Sequence, residues 1–356
     1  MFFAPTVLQA TAKRFLDGFP GLVTYAVKSN PDEMVIQNLV AAGVTGFDVA
    51  SPFEIEMIGR LAPGAARHYN NPVRSRAEIA YAVEQGVTSF SVDSHSELAK
   101  LAEIVPAAGA EVSVRFKLPV KGSAYNFGAK FGATAEEAVL ILKEAADYGF
   151  TPSITFHPGT QVNDLTLWQQ FIEKAAWIAR EAGVKIARLN VGGGFPSHRT
   201  SADQLTLEQI FVAIDEATGA AFGADRPALV CEPGRAMCAE AFSTAAKVKG
   251  IRDGNYVFLN DGVYGTLFEM PMIGMIDRME VVSAEAEPRK GEVQPKICFG
   301  PTCDSVDRLP GELMLPADIQ EGDYILFHGM GAYSTVTNTR FNGFGELVIA
   351  TVMNLR

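Results

Sequence analysis

The chain has 356 residues, with 30 lysines and arginines against 41 aspartates and glutamates, for a net charge of -11. Its 48% hydrophobic and 20% charged composition excludes a mainly disordered chain and supplies one large core or two smaller ones. The basic residues form only short groups, such as Lys247 to Lys249 and Arg74 to Arg76, so nucleic acid is not an expected partner, whereas small cationic substrates suit the acidic balance.

In chain order, eight short apolar runs stand out: Leu22–Val27, Gly46–Ala50, Arg67–Asn70, Thr88–Val92, Val112–Phe116, Ser153–His157, Ala187–Val191 and Leu229–Glu232. Most are rich in β-branched or aromatic residues, as buried parallel strands are. Helix candidates separate them: Asp32–Ala42, a helix opened by Ser51 and Pro52, Ser75–Gln85, Ser94–Ile104, Thr134–Tyr148, Leu165–Glu181 and Ala202–Thr218. Several end on glycine, at Gly43, Gly86 and Gly183. Eight such units predict an α/β fold with a closed (β/α)8 TIM-type barrel over residues 15–240, a doubly wound open sheet being the alternative. Beyond it the pattern turns to strands at Phe242–Lys249, Tyr256–Leu259, Arg278–Ser283, Val293–Gly300, Asp323–His328 and Gly345–Met353. These predict a second, C-terminal antiparallel all-β domain over 241–356, with residues 1–14 as a possible extra strand.

Cys231, Cys238, Cys298 and Cys303 are too few for a disulfide scaffold and form no Cys-x-x-Cys pair. The histidines, at 68, 95, 157, 198 and 328, show no metal-binding spacing. No secretory pattern opens the chain, and its most apolar long stretch, Tyr264–Ile276, is broken by Glu269 and Pro271. The expectation is a cytoplasmic protein with no metal and no membrane association.

Chemistry in a closed barrel collects at the C-terminal ends of the strands. The residues there are Lys28, Asp48, Asn70, Asp93, Arg115, His157, Gly192–Gly194 and Glu232. Lys28 is either a lysine for a carbonyl cofactor or a strand-end lysine reaching solvent. The three glycines either cradle a phosphate or make a plain turn, and neither a dinucleotide fingerprint nor a P-loop is present. Arg235, in Glu232-Pro233-Gly234-Arg235, suits a bidentate phosphate contact, and Glu232 suits a pyridine nitrogen. His157 reads equally as a ring stacked on a cofactor and as a structural histidine, and Cys303-Asp304 as a protonation and anchoring pair or a surface turn.

Together these segments carry a resemblance. Tyr25-Ala26-Val27-Lys28-Ser29-Asn30-Pro31, Gly46-Phe47-Asp48-Val49-Ala50-Ser51, Phe156-His157-Pro158-Gly159-Thr160 and Gly192-Gly193-Gly194-Phe195-Pro196 come first. Glu232-Pro233-Gly234-Arg235, Asn260-Asp261-Gly262-Val263-Tyr264-Gly265, Gly300-Pro301-Thr302-Cys303-Asp304-Ser305-Val306-Asp307 and Gly331-Ala332-Tyr333 follow in the same order. The chain resembles the fold III, alanine-racemase-like, PLP-dependent decarboxylases of the ornithine/lysine/diaminopimelate group.

The resemblance implies pyridoxal 5′-phosphate as cofactor and a homodimer with active sites at the interface. It assigns Lys28 to the cofactor's carbonyl, His157 to the pyridine face and Glu232 to the ring nitrogen. Gly193, Gly194, Gly234, Arg235 and Tyr333 are assigned to the phosphate, with Thr160 as a hydroxyl helper. Asp48 and Arg115 organise the lysine side. Cys303 returns a proton to the substrate carbon after CO2 leaves, and Asp304, with Tyr264, binds the distal ammonium. The expected reaction is decarboxylation of L-ornithine to putrescine. L-lysine or bifunctional activity is the alternative, followed by carboxynorspermidine or diaminopimelate. A regulatory, protein-binding homologue is the non-enzymatic rival, and Lys28 and Arg235 argue against it. Three departures stand out: a short segment ahead of Lys28, no second amine-binding aspartate in register (Glu269 and Asp277 are near), and an unfamiliar Leu118–Asn126 ahead of the loop Phe127–Gly132.

Overall fold

A computed structural model describes residues 1–119, 130–202 and 204–355. Residues 127–129 of the loop 127–132, and most of the 118–126 stretch before it, lie outside the described residues. The chain divides into two compact units, Met1–Leu8 with Ser197–Asp203 and Arg235–Arg356, and Gln9–Pro196 with Gln204–Gly234. No helix among the described residues is long and apolar enough to cross a membrane.

The chain opens with strand β1 (Phe2–Phe3) and helix α1 (Pro5–Gly18). The second unit is then a closed parallel barrel of β2 (Gly21–Ala26), β3 (Gly46–Val49), β4 (Ala66–Tyr69), β5 (Ser89–Val92), β6 (Glu111–Arg115), β7 (Thr151–Thr155), β8 (Arg188–Asn190) and β9 (Ala228–Cys231). Closure comes from β9 beside β2, with Gly21 opposite Leu229. This is the TIM-type barrel, not the open sheet. Between the strands run α2 (Glu33–Ala41), α3 (Pro52–Leu61), α4 (Arg76–Glu84), α5 (His95–Ile104), α6 (Ala135–Asp147), α7 (Leu165–Ala182) and α8 (Leu207–Phe222). Ser51 caps α3 with Pro52 in the first turn, and Ser75, Thr134 and Thr206 make reciprocal capping boxes with Glu78, Glu137 and Gln209. The box at Thr206 starts α8 later than the predicted Ala202.

Alternation along the strands sorts their side chains. One set packs outward under the helices: Phe156 lies 4.8 Å and Phe116 5.7 Å from the Phe171 ring of α7. The other set points inward and is polar along the barrel. Glu111 accepts a hydrogen bond from Ser153 at 2.5 Å and faces Arg188 at 3.4 Å, while Ser91 donates to the Ser113 carbonyl at 3.3 Å. A (β/α)8 interior is more often filled with branched aliphatics. Here the hydrophobic core lies between strands and helices, and the inward positions of β5, β6, β7 and β8 carry these polar groups.

The first unit is built on a sheet of β10 (Phe242–Arg252), β11 (Tyr256–Leu259), β12 (Met279–Val282), β13 (Val293–Phe299), β14 (Leu313–Pro316) and β15 (Tyr324–His328). Their order is β12-β15-β10-β11-β13-β14, and its pairs are antiparallel except β11 with β13. Ala246, Val248, Val257, Leu259, Ile325 and Phe327 lie in its buried core. Residues 1–14 divide: Phe2 and Phe3 pair with Ser243 and Phe242, and a helix starts at Pro5. The predicted strand Gly345–Met353 shrinks to β16 (Ala350–Thr351), because Val348 and Met353 are exposed and the segment buries no face. β14 was missed because Leu-Met-Leu-Pro is short and ends in proline.

Candidate functional site

The C-terminal ends of the barrel strands converge on a cluster of charges. After β2 the chain makes a tight 3-10 turn over Val27–Ser29. Ser29 Oγ pins it by donating to the Ala26 carbonyl at 2.7 Å, with Tyr25 Oη 3.0 Å away. Lys28 projects from this turn, its side chain 49% exposed, with Nζ 3.7 Å from the buried Asp48. Gly234 presses against the same turn: a Cβ there would sit 3.0 Å from Ser29 Cβ.

Asp48, Glu54 and Glu232 are the acids of the cluster, and Lys28 and Arg115 its cations. Glu232 Oε1 accepts from Asn190 Nδ2 at 2.5 Å and from Asn70 Nδ2 at 2.7 Å. Burial pushes the Glu232 carboxyl up to about 7, with Asp48 adding to the push and Lys28 opposing it. Glu54, which accepts from the Ala50 N–H at 2.6 Å, is also pushed up to about 7, again mainly by burial. Burial raises Asp48 as well, against the pull of Lys28 and Arg115. It lowers Arg115, against Glu232, Asp48 and Asp93.

The loops after β7 and β8 mesh at backbone distance. A Cβ on Gly192 would meet the Phe156 carbonyl at 2.2 Å, one on Gly193 the Glu232 carbonyl at 2.9 Å, and one on Gly194 the Gly159 carbonyl at 2.7 Å. Val162 N–H donates to Gly194 O at 2.9 Å, which ties in the loop that carries Thr160. His157 Nδ1 accepts from Gly159 N–H at 3.3 Å, and its Nε2 lies 3.2 Å from where a Gly193 side chain would begin. Burial, then Arg115, holds this imidazole well below its usual range, so it is neutral at neutral pH. A buried carboxyl, a neutral imidazole, side-chain-free glycines and a reachable lysine at one barrel mouth fit a pyridoxal phosphate.

The remaining predicted residues belong to the β unit. Arg235 lies with Cζ 4.9 Å over the Tyr333 ring, and its two terminal nitrogens each reach Glu269 at 2.5 Å. Arg199 approaches the same carboxylate at 3.8 Å. Asp277 accepts from Ser201 N–H at 2.8 Å and from its hydroxyl at 2.9 Å. Both acids near the expected second amine site are therefore engaged elsewhere. Tyr264 Oη donates to Asp304 Oδ2 at 2.5 Å, and Asp304 Oδ1 accepts from Val306 N–H at 3.1 Å. The tyrosine hydroxyl, then that N–H, holds Asp304 below the usual carboxylate range. Cys303 is exposed, its Sγ donating to Asn342 Oδ1 at 3.3 Å. The structure thus gathers Lys28, Asp48, Arg115, His157, Gly193, Glu232 and Gly234 in one unit, and Cys303, Asp304 and Tyr264 in the other.

Sequence reasoning missed Glu54 and Asn190. Glu54, three residues after Ser51, carried only the signature of a helix cap. Asn190 interrupts an apolar run two residues before Gly192, and that polar break was the available signal.

Comparison with known proteins gives a consistent result. Residues 7–239 match the family model described as pyridoxal-dependent decarboxylase, pyridoxal binding domain. The lysine/ornithine decarboxylase of Selenomonas ruminantium is 32% identical over 330 residues, covering 90% of this chain and 81% of that one. The crystal structure of the Paramecium bursaria Chlorella virus arginine decarboxylase bound to agmatine superposes with a TM-score of 0.88 at 26% identity, covering 99% of this chain and 96% of that one. The Vibrio vulnificus lysine/ornithine decarboxylase complexed with cadaverine gives 0.84 at 26%, covering 99% and 94%.

Proposed function

The chain belongs to the pyridoxal-dependent decarboxylase family, and from that premise we propose that it decarboxylates both L-ornithine and L-lysine to their diamines. It is a PLP-dependent amino-acid decarboxylase acting on a basic L-amino acid. The observation that carries the finer reading is the Tyr264–Asp304 pair. Tyr264 occupies Oδ2 and Val306 N–H occupies Oδ1, which leaves single lone pairs rather than a free fork of two oxygens. A compact ammonium needs one such acceptor, whereas a guanidinium is best held by both oxygens at once. One methylene is worth only about 1–3 kcal/mol to a binding site. With Glu269 and Asp277 engaged, neither of the two acids near that position among the described residues is free to enforce chain length, and both substrates are accepted rather than ornithine alone.

Pyridoxal phosphate supplies an electron sink for the carbon that loses its carboxylate. In this reading Lys28 would hold the cofactor through its carbonyl carbon, at the place where the substrate α-amine must also reach. Asp48 and Arg115 set the charge around that amine. Glu232 holds a proton on the ring nitrogen, and the neutral His157 presents its flat face to the ring. Gly193, Gly194 and Gly234 let backbone approach the phosphate, with Arg235, Tyr333 and Thr160 as its other ligands. Cys303 delivers a proton to the α-carbon, and Asp304 neutralises the distal ammonium. The proposal includes a homodimer, in which the exposed Cys303 and the half-buried Asp304 face a second copy, and a reducing cytoplasm, consistent with four free thiols.

The test is CO2 release from ornithine, lysine, arginine, meso-diaminopimelate and carboxynorspermidine, with light scattering for the dimer. Comparable kcat/KM on ornithine and lysine is expected. Preference for arginine or diaminopimelate overturns the substrate reading.

A further inference from the structure

The barrel has a second end. At the N-terminal ends of β4 to β8, opposite the strand ends that carry Lys28 and Glu232, lies a cavity of about 270 Å³ whose polar lining includes Arg67, His68, Ser89, Glu111 and Arg188. All five belong to the barrel unit. Strand register brings them together. His68 of β4 stands opposite Ser89 of β5, and Ser89 opposite Glu111 of β6, so three polar residues follow one another across adjacent strands. Arg188 of β8 closes the arc: its backbone N–H donates to Ser153 Oγ at 3.2 Å, and its Nη1 lies 3.4 Å from Glu111 Oε2.

Polar groups in a packed interior are ordinarily paired. Glu111 obeys this rule, since Oε1 accepts from Ser153 at 2.5 Å and Oε2 faces Arg188. His68 and Ser89 do not. They are 5% and 7% exposed and both line the cavity, yet neither the imidazole nor the hydroxyl has a hydrogen-bond partner among the described residues. Burial brings His68 down to about 4, against Glu111 and with Arg188, so the ring is neutral and offers one N–H. Beyond its ion pair with Glu111, the Arg188 guanidinium makes no hydrogen bond among the described residues.

The open groups are therefore mainly donors, while the one acid of the lining has both oxygens engaged. Arg67, whose Nη2 donates to the Gln85 carbonyl at 2.6 Å, adds a second positive charge against that single carboxylate. Spare donors and a positive balance suit a ligand built of acceptors. The cavity is smaller than the roughly 300–1,000 Å³ of pockets for drug-sized molecules, so that ligand is small.

We propose that the N-terminal end of the barrel is a binding site for a small oxyanion, a carboxylate or a phosphoryl group, held by Arg188 with Ser89 and His68 as further donors. The site shares no residue with the groups assigned to the cofactor or the substrate, and the inference does not rest on which amino acid is decarboxylated.

The experiment uses holoenzyme saturated with pyridoxal phosphate, so that the groups assigned to the cofactor's phosphate are already taken. Histidines carry 13C at Cε1, with His68 assigned through His68→Gln, and inorganic phosphate or acetate is titrated in at constant ionic strength set by chloride. Of the five histidines, His68 should shift saturably while His95, His157, His198 and His328 stay in place. The tighter of the two probes identifies the source as phosphoryl or carboxylate. Arg188→Gln should weaken binding about tenfold or more, and Ser89→Ala about threefold. Arg188→Lys keeps a cation beside Glu111, which protects the fold, and should bind between wild type and Arg188→Gln. Absence of a saturable His68 shift with either probe overturns the proposal, as does a shift that both arginine variants leave unchanged. Turnover is not read, so a wild type inactive on ornithine and lysine overturns the substrate reading and leaves this site judged by the His68 titration.

Discussion

The barrel mouth and the Tyr264–Asp304 corner are built on opposite terms. At the mouth, Asp48, Glu54 and Glu232 are all pushed up by burial and held by amide and backbone donors from several strands. At the corner, Asp304 lies at the surface and its own hydrogen bonds hold it down. A buried network is costly to assemble and, once fully satisfied, fixes one geometry. A half-buried pair of two groups costs less and fixes less. The groups proposed for the cofactor, shared by every reaction of this kind, sit where each side chain is held by several others. The group proposed to choose the substrate sits where one substitution disturbs few neighbours.

The largest effect should come at the mouth. Lys28→Ala should cut CO2 release by about a thousandfold or more, since it removes the amine proposed to hold the cofactor. Borohydride reduction of the wild type, followed by peptide mapping, should place the cofactor on Lys28, and a label elsewhere breaks the assignment. Gly193→Ala comes next. Its new Cβ would lie 2.9 Å from the Glu232 carbonyl and 3.2 Å from His157 Nε2. Overpacking of this kind costs about 1–3 kcal/mol, so cofactor affinity should fall roughly five- to a hundredfold. Unchanged affinity by fluorescence titration would show that the loops can part, and that the mouth is less rigid than its distances imply.

At the corner the effects should be smaller and selective. Asp304→Ala should lower kcat/KM on ornithine and lysine about a hundredfold, and less on arginine. Tyr264→Phe frees Oδ2, so it should cost about tenfold on ornithine while improving arginine relative to it. A uniform loss across the panel would mean that the corner is structural. Cys303→Ala should separate two products: if its thiol delivers the proton, CO2 release persists while diamine formation lags, and their ratio measured by coupled assay falls below one. Equal loss of both removes the cysteine from that role.

The same contrast governs what could be read in advance. The barrel was legible because β-rich runs and capped helices repeat, and because polar residues ending apolar runs mark a rim. Lys28, Asp48, Arg115, His157 and Glu232 were all visible that way. Glu54 was hidden since a glutamate three residues after Ser51 satisfies local helix chemistry, so its tertiary role left no separate trace. The engagement of Glu269 by Arg235 and Arg199 joins residues remote in sequence, and no local pattern records it. In the β unit, β14 and β16 were misread because short strands take their identity from partners rather than from periodicity.

The finest test of the contrast is pH. Glu54 is pushed from 4.5 up to about 7, first by burial and then by Asp48, with the Ala50 N–H opposing. A carboxyl whose folded pKa is raised binds its proton more tightly when folded. Its contribution to stability is therefore full below the unfolded value and is lost as pH rises through about 7. Glutamine has no proton to lose. Glu54→Gln should match wild type near pH 4 and exceed it increasingly as pH rises toward about 7, by at most on the order of 3 kcal/mol. Taking the difference between variant and wild type cancels the opposite slope from His68 and His157, whose pKa values burial lowers. Asp304→Asn is the matching control at the corner. Its lowered pKa gives stability that is present above the unfolded value and lost as pH falls, so the wild type should lead slightly at neutral pH and lose that lead in acid. Thermal melts of the cofactor-free proteins across this range decide the matter, and two variants with the same pH slope would erase the distinction between the buried mouth and the half-buried corner.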